Sequence, residues 1–223
     1  MSIWSRITAA LSALATGEPL SDVFDRLRTP PERSVAFAIA VIALGAKLAK
    51  ADGTVTRDEV RAFREVFIIP ESEEANAARV FNLARQDVAG YDVYARRIAS
   101  LFEDGHEVLH DLMEGLFHIA TADGSYHEAE NEVLFQVATI FGLSEREFRS
   151  LRARSVPDAA PDPYDVLGVT PDMPMAEIRR AWSRAVRESH PDRMIARGVP
   201  EEAVRLAEQR LIAINRAWEE ISA

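Results

Sequence analysis

Apolar residues along this chain recur at steps of three and four, and almost nowhere in strict alternation. That is the period of helices that bury one face. The pattern predicts helices over 35–50, 57–68, 72–87, 91–102, 105–121, 127–141 and 144–155. The first is the most apolar, with Val35 to Ala46 forming a run of twelve residues stopped by Lys47 and Lys50. A spanning helix needs about 18–20 such residues, so the run reads as a buried core helix. Further along, Ile178, Ala181, Trp182, Ala185 and Val186 share one face of a helix from Met175 to Glu188. Val204, Ala207, Leu211, Ile214, Trp218 and Ile221 form a coiled-coil-like seam on a second helix, 201–221. These two helices are expected to pair as an antiparallel hairpin, with Tyr164 and Leu167 covering one side. The expected fold class is all-α.

Proline and glycine punctuate this pattern. Gly17-Glu18-Pro19 ends a short helix carrying Ile3, Ile7, Leu11 and Leu14, and Thr29-Pro30-Pro31 comes after it. Pro157, Pro161 and Pro163 disfavour helix in the stretch that contains them. The expected division is an N-terminal arm and linker (1–31), a helical body (32–155), a Pro-rich linker (156–162) and a C-terminal unit (163–223). The arm reads as a helix packed on its own protein. Attachment to a membrane surface is the weaker reading, because Arg6 is the arm's only side-chain cation before Ala15. Neither a secretory signal nor a spanning segment is expected.

Charge narrows the partners. The 223 residues carry 26 Lys and Arg against 36 Asp and Glu, a formal charge of −10. Residues 161–223 hold nine basic and eleven acidic side chains, net −2, so the acidity sits in the front part. Non-specific nucleic-acid binding needs cations to displace counterions, so no nucleic-acid partner is expected. With no cysteine, disulfide frameworks, thiolate zinc sites and thiol nucleophiles are excluded.

The body contains an internal repeat. Lys50-Ala51-Asp52-Gly53-Thr54-Val55 recurs as Thr121-Ala122-Asp123-Gly124-Ser125-Tyr126, 71 residues later. Each copy lies between an apolar helix and a charged one, which suggests two related helix–loop–helix units in one bundle. An EF-hand does not fit. Its first and third ligand positions would be Leu48 and Lys50, then Ile119 and Thr121, none of them carboxylates. Two readings stay open. In one, Gly53 and Gly124 end their helices in the left-handed conformation, while Thr56 with Glu59, and Ser125 with Glu128, cap the next helices. In the other, Asp52, Glu59, Asp123 and Glu130 meet across the repeats, where four mutually repelling carboxylates would favour a divalent cation. No cofactor is required by the sequence, and that cation is the one candidate.

The C-terminal unit carries the sharper signals. Arg180, Arg184 and Arg187 form a stripe flanked by Arg179, with only Glu177 and Glu188 nearby to neutralise it. Such a strip on an acidic protein suggests docking to an acidic partner surface. His190-Pro191-Asp192 lacks the nucleophile or third group of a catalytic set. From the residues alone it reads as a turn, with Pro191 fixing the backbone and Asp192 capping the segment after it.

The body resembles the TerB tellurite-resistance-like domain, a helical bundle with two Ala-Asp-Gly loops. The C-terminal unit resembles the J-domain of the DnaJ family. That likeness rests on Tyr164-Asp165-Val166-Leu167-Gly168-Val169, Arg179-Arg180-Ala181-Trp182, His190-Pro191-Asp192 and Ile214-Asn215-Arg216-Ala217-Trp218. The order of the two units, and Met194 to Glu201 after the tripeptide, are similar to the DjlA-like subgroup. One departure is Ser189, where J-domains usually carry tyrosine. The resemblance implies a co-chaperone, not an enzyme. Its basic helix (Arg179, Arg180, Arg184, Arg187) and its loop (His190, Pro191, Asp192) would dock on an ATP-bound DnaK-type chaperone and trigger hydrolysis there. Asp192 would compete for a partner arginine, and His190 would fix the loop. The TerB-like body would supply targeting, client or metal contacts. The expected location, read from the lack of an evident signal or spanning segment, is the cytoplasm, with peripheral contact at the inner membrane as a second reading. The alternative function is a divalent-metal-binding stress-response protein.

Overall fold

The computed structural model describes Ala13 and residues 32–48, 90–102, 106–122, 124, 126–156, 161–199 and 204–223. Among these residues every regular element is a helix and there is no strand, as the periodicity predicts. In the body they are α1 (Glu32–Leu48), α2 (Tyr91–Leu101), α3 (His106–Ala120), α4 (Glu128–Ile140) and α5 (Glu145–Ser155). The C-terminal unit has α6 (Pro163–Leu167), α7 (Met175–Glu188), α8 (Pro191–Arg197) and α9 (Val204–Ser222). The terminal arm apart from Ala13, the first Ala-Asp-Gly loop and the expected helices 57–68 and 72–87 lie outside the described residues.

The apolar run becomes the axis of the body. Phe37 to Ile42 are all at 0 % exposure, which is what a helix apolar on every side requires. α2, α3 and α4 pack around α1. Gly45 faces Ile119 of α3: a Cβ there would stand 2.8 Å from Ile119 Cδ1, so the end of that side chain would have to shift. Phe117 is fully buried between Phe148 and Tyr126, with ring centroids at 5.5 and 6.0 Å.

Local chemistry sets the helix ends. α3 stops before Gly124, whose φ of 83° is the left-handed conformation the repeat predicts. α4 corrects the expected Ser125–Glu128 cap. His127 is its N-cap, and Glu130 Oε2 accepts from His127 N at 2.8 Å. The three-residue spacing of a capping box survives, two positions later. Ser144 and Glu147 cap α5 reciprocally, with Ser144 N donating to Glu147 Oε2 at 2.7 Å and Glu147 N to Ser144 Oγ at 3.3 Å. In α6, Asp162 Oδ1 accepts from Tyr164 N at 2.8 Å and Pro163 takes the first turn, where no N–H is needed.

The C-terminal unit has a small core of its own. Val166, Leu167, Val169, Ile178, Ile214 and Ala217 are buried there, with Tyr164, Trp182 and Trp218 packed against them. The α7–α9 pairing is the expected hairpin. Trp182 and Trp218 stack at 5.0 Å and 15°, and Trp182 Nε1 donates to Asn215 Oδ1 at 3.0 Å. The seam divides, however. Ala207, Met194 and Val199 are buried in the body's core and not in this one. α6 also packs on both α5 and α9, and Val166 O accepts from Ser150 Oγ at 3.0 Å and Arg154 Nη1 at 3.2 Å. The two units therefore share buried surface on either side of the Pro-rich segment.

Shared surface predicts shared unfolding. In a Trp4→Phe background, the remaining tryptophans, Trp182 and Trp218, both report on the C-terminal unit. Phe117→Ala in the body should cost about 3–5 kcal/mol. It should also lower the urea midpoint read from tryptophan emission. An unchanged tryptophan midpoint would show that the units unfold independently.

Candidate functional site

The site is built around the two residues between α7 and α8. α7 ends at Glu188, and Ser189 continues its last turn. Ser189 Oγ donates to Ala185 O at 2.7 Å, and its N–H reaches the same carbonyl at 3.0 Å. At 1 % exposure this small residue is satisfied inside the fold, at the position where the resemblance expected a tyrosine.

His190 then turns the chain. The structure corrects the expectation that Asp192 caps the segment after the turn. His190 is itself the N-cap of α8, with Nδ1 accepting from Asp192 N at 3.2 Å. That role requires the imidazole tautomer with its proton on Nε2. Pro191 occupies the first helical position, and His190 O accepts from Arg193 N at 2.9 Å and Met194 N at 3.1 Å. The backbone is thus held while the side chains stay outside: His190 is 60 % and Asp192 88 % exposed, with Nδ1 and Oδ2 3.7 Å apart.

The arginine stripe lies on the helix leading into this loop. Arg179, Arg180, Arg184 and Arg187 are all exposed. Arg180 Nε donates to Ala176 O at 3.2 Å, a contact that leaves its charge unneutralised. Among the described residues no ion pair engages any of the four. Exposed, unneutralised cations beside an exposed carboxylate make a surface suited to recognising a charged partner.

Behind the loop stands a feature that the sequence pattern does not reveal. Asp111 and Glu114, on α3 of the body, meet Arg197 of α8 and Arg210 of α9. Asp111 Oδ2 accepts from Arg197 Nη2 at 2.8 Å and Nε at 3.2 Å, and Asp111 Oδ1 accepts from Arg210 Nη2 at 2.6 Å. Glu114 Oε2 accepts from Arg210 Nε at 2.5 Å and pairs with Nη2 as well. Arg154 of α5 stands beside them, with Nε 3.6 Å from Glu114 Oε1. Burial pushes the Asp111 carboxyl above its usual range, while Arg210 and Arg197 pull it back. Burial alone would lower Arg210, but Glu114 and Asp111 outweigh it and hold this guanidinium above its ordinary value. Burial brings Arg154 down to about 10, partly offset by Glu114. His110, beside the cluster, is driven well below its usual range by burial and then by Arg154 and Arg210. The sequence shows only that Asp111 and Glu114 fall one turn apart; that α3 is buried along most of its length, and which cations meet them, comes from the structure.

The four carboxylates weighed for a cation are not brought together by anything described. Asp52, Glu59 and Asp123 lie outside the described residues. Glu130 is buried and its Oε2 serves the His127 cap. Among the described residues no group of three or more His, Asp or Glu side chains is arranged to hold a metal. No described helix is long and apolar enough to cross a membrane.

Comparison with known proteins matches both units. Residues 38–153 match the family model described as tellurite resistance protein TerB, and residues 162–223 match the DnaJ domain. The chain is similar to the co-chaperone protein DjlA of Photobacterium profundum, at 26% identity over 85% of this chain and 78% of that relative. The DjlA of Coxiella burnetii is 27% identical over 78% of this chain and 72% of its own length. The DjlA of Escherichia coli (strain K12) is 23% identical over 98% and 97% respectively. No solved structure gives a significant match.

The buried cluster and an exposed pair should respond differently to mutation. Arg210→Met leaves two buried carboxylates short of a partner and should cost about 3–5 kcal/mol. Glu220→Gln breaks only the exposed pair with Arg216, 3.2 Å apart, and should change stability by less than about 0.5 kcal/mol. Urea unfolding of the two variants checks the contrast. Equal effects would remove the special weight given to the cluster.

Proposed function

The chain belongs to the TerB family and carries a DnaJ domain behind its TerB domain, in the DjlA order, and from this we propose that it is a co-chaperone of a DnaK-type ATPase. The observation that carries the reading is the exposed His190-Pro191-Asp192 loop at the end of an unneutralised arginine stripe. Stability gives Asp192 little reason to be charged and 88 % exposed; at the second position of a short helix its effect on the dipole is a few tenths of a kcal/mol. An exposed carboxylate held on a fixed backbone is instead suited to competing for a cation on a partner.

In this reading Arg179, Arg180, Arg184 and Arg187 steer and orient the encounter with an acidic face of the ATPase. His190 shapes the loop by capping α8, and Pro191 fixes its backbone. Asp192 supplies the anion that perturbs the partner. ATP hydrolysis takes place on the partner, so this chain regulates and does not itself catalyse. The TerB domain would provide targeting or client contacts.

The test is steady-state ATP turnover by a bacterial DnaK with and without the full chain. Wild type should raise the rate several-fold. Asp192→Asn should abolish the rise while shifting stability by less than about 0.5 kcal/mol, because the side chain is exposed. His190→Gln should abolish it as well. Failure of the wild-type chain to stimulate, with its fold intact, would refute the reading for that partner.

A further inference from the structure

One guanidinium closes the loop from behind. Arg197 is the last residue of α8, and its Nη1 donates to Glu188 O at 3.1 Å, the last residue of α7. The same side chain donates Nη2 and Nε to Asp111 Oδ2 at 2.8 and 3.2 Å. The exit of α7, the end of α8 and helix α3 of the body are therefore fastened at one point. Ser189 to Ala196, which includes the His-Pro-Asp tip, is the closed segment between.

The fastening is rigid for physical reasons. Asp111 has a side chain at 1 % exposure, so no bulk water stands ready to replace Arg197. A guanidinium presents its N–H groups in a fixed plane, so bonds to a carboxylate and a carbonyl together set its orientation. Asp111 is held in turn from its other oxygen by Arg210 of α9. α8 is also seated by Met194 and, just past its end, Val199, each at 1 % exposure in the body's core. The tip itself is left free, because none of these contacts covers the side chain of His190 or Asp192.

We propose that Asp111 and Arg197 are positioning residues for the His-Pro-Asp loop, so that the TerB body sets how often the J-domain presents a binding-competent loop. The consequence for the ATPase rests on the co-chaperone reading; the clamp itself does not. A loop already held in its bound form loses little conformational freedom on docking. If releasing the clamp reduces the competent fraction to a tenth, the apparent dissociation constant rises tenfold while the bound complex is unchanged. The body is then part of the J-domain's recognition machinery, in addition to any contact it makes elsewhere.

Arg197→Lys in the full chain is the discriminating variant. It keeps the charge opposite Asp111 but cannot span Asp111 and Glu188 O with a planar fork, and it leaves the Asp111–Arg210 pair in place. Two measurements are made. Amide hydrogen exchange is followed at Arg193 and Met194, which donate to His190 O, and at mid-helix residues of α7 and α9 as controls. DnaK turnover is titrated with the chain, to separate the half-maximal concentration from the plateau.

Exchange at Arg193 and Met194 should quicken about tenfold, with the controls within twofold. The half-maximal concentration should rise about tenfold at an unchanged plateau. Unchanged exchange at the two amides, or equal acceleration throughout α7 and α9, would overturn the proposal, the second outcome making Arg197 a stabilising residue only. A lowered plateau at an unchanged half-maximal concentration would overturn it too. Absence of stimulation by the wild type would refute the co-chaperone reading, while the exchange measurement would still decide whether the clamp exists.

Discussion

The carboxylate of Asp111 is the point on which the rest of the arrangement depends. It is a charge taken almost entirely out of water, on a helix whose other residues are mostly core. Desolvation alone would make it a defect of several kcal/mol. It is tolerated because two guanidiniums arrive from two other helices, one on each oxygen. Neither arginine belongs to the body, so the body's own fold leaves Asp111 incomplete without them. A hydrophobic pair could have joined the units with equal or greater strength, but apolar contacts slide, whereas two directional bonds to one carboxylate admit few relative placements.

That constraint explains how α9 serves two cores. Ala207, Arg210, Ile214 and Ala217 lie along one side of it and are all buried. The first packs in the body, the second ends in the carboxylates of α3, and the last two build the core behind the tryptophan stack. A single amphipathic stripe thus changes partner partway along, and the change occurs at the charged residue. Sliding the helix by one residue would turn Arg210 away from Asp111 and Glu114 and leave both carboxylates short of a partner, so the ion pairs help to set the register of α9.

Helices are legible in the sequence because burial imposes a period on them. Met175–Glu188 and the apolar core helix are readable from spacing alone, as is the left-handed Gly124. The His-Pro-Asp loop is legible as a motif but not as a geometry. Pro191 reads equally well as a breaker or as the first residue of a helix, and only the bonds from Arg193 and Met194 to His190 O decide for the latter. Asp111, Glu114, Arg197 and Arg210 escape for a related reason. Arg197 sits at a helix end and Arg210 follows Glu208 and Gln209, places where a charged residue is normally solvated, while Asp111 and Glu114 lie among core residues with nothing nearby in sequence to name their partners. Their pairing spans 86 to 99 residues, and no local periodicity encodes a contact at that distance.

Arginine plays two opposite parts in this C-terminal unit, and burial decides between them. Arg179, Arg180, Arg184 and Arg187 are exposed and form no ion pair among the described residues, so their field reaches solvent and is available to a partner over roughly a Debye length. Arg197 and Arg210 are enclosed and paired, so their charge fixes geometry and projects little beyond the cluster. The two sets meet at the end of α7, where Arg187 is exposed and the Glu188 carbonyl is held by Arg197 from within. A loop placed at that junction inherits an attractive field on one side and a fixed backbone on the other. Recognition of a charged partner needs both, because a charge steers an encounter whatever its exact position, whereas an exposed carboxylate such as that of Asp192 is presented for a directional contact only from a defined place.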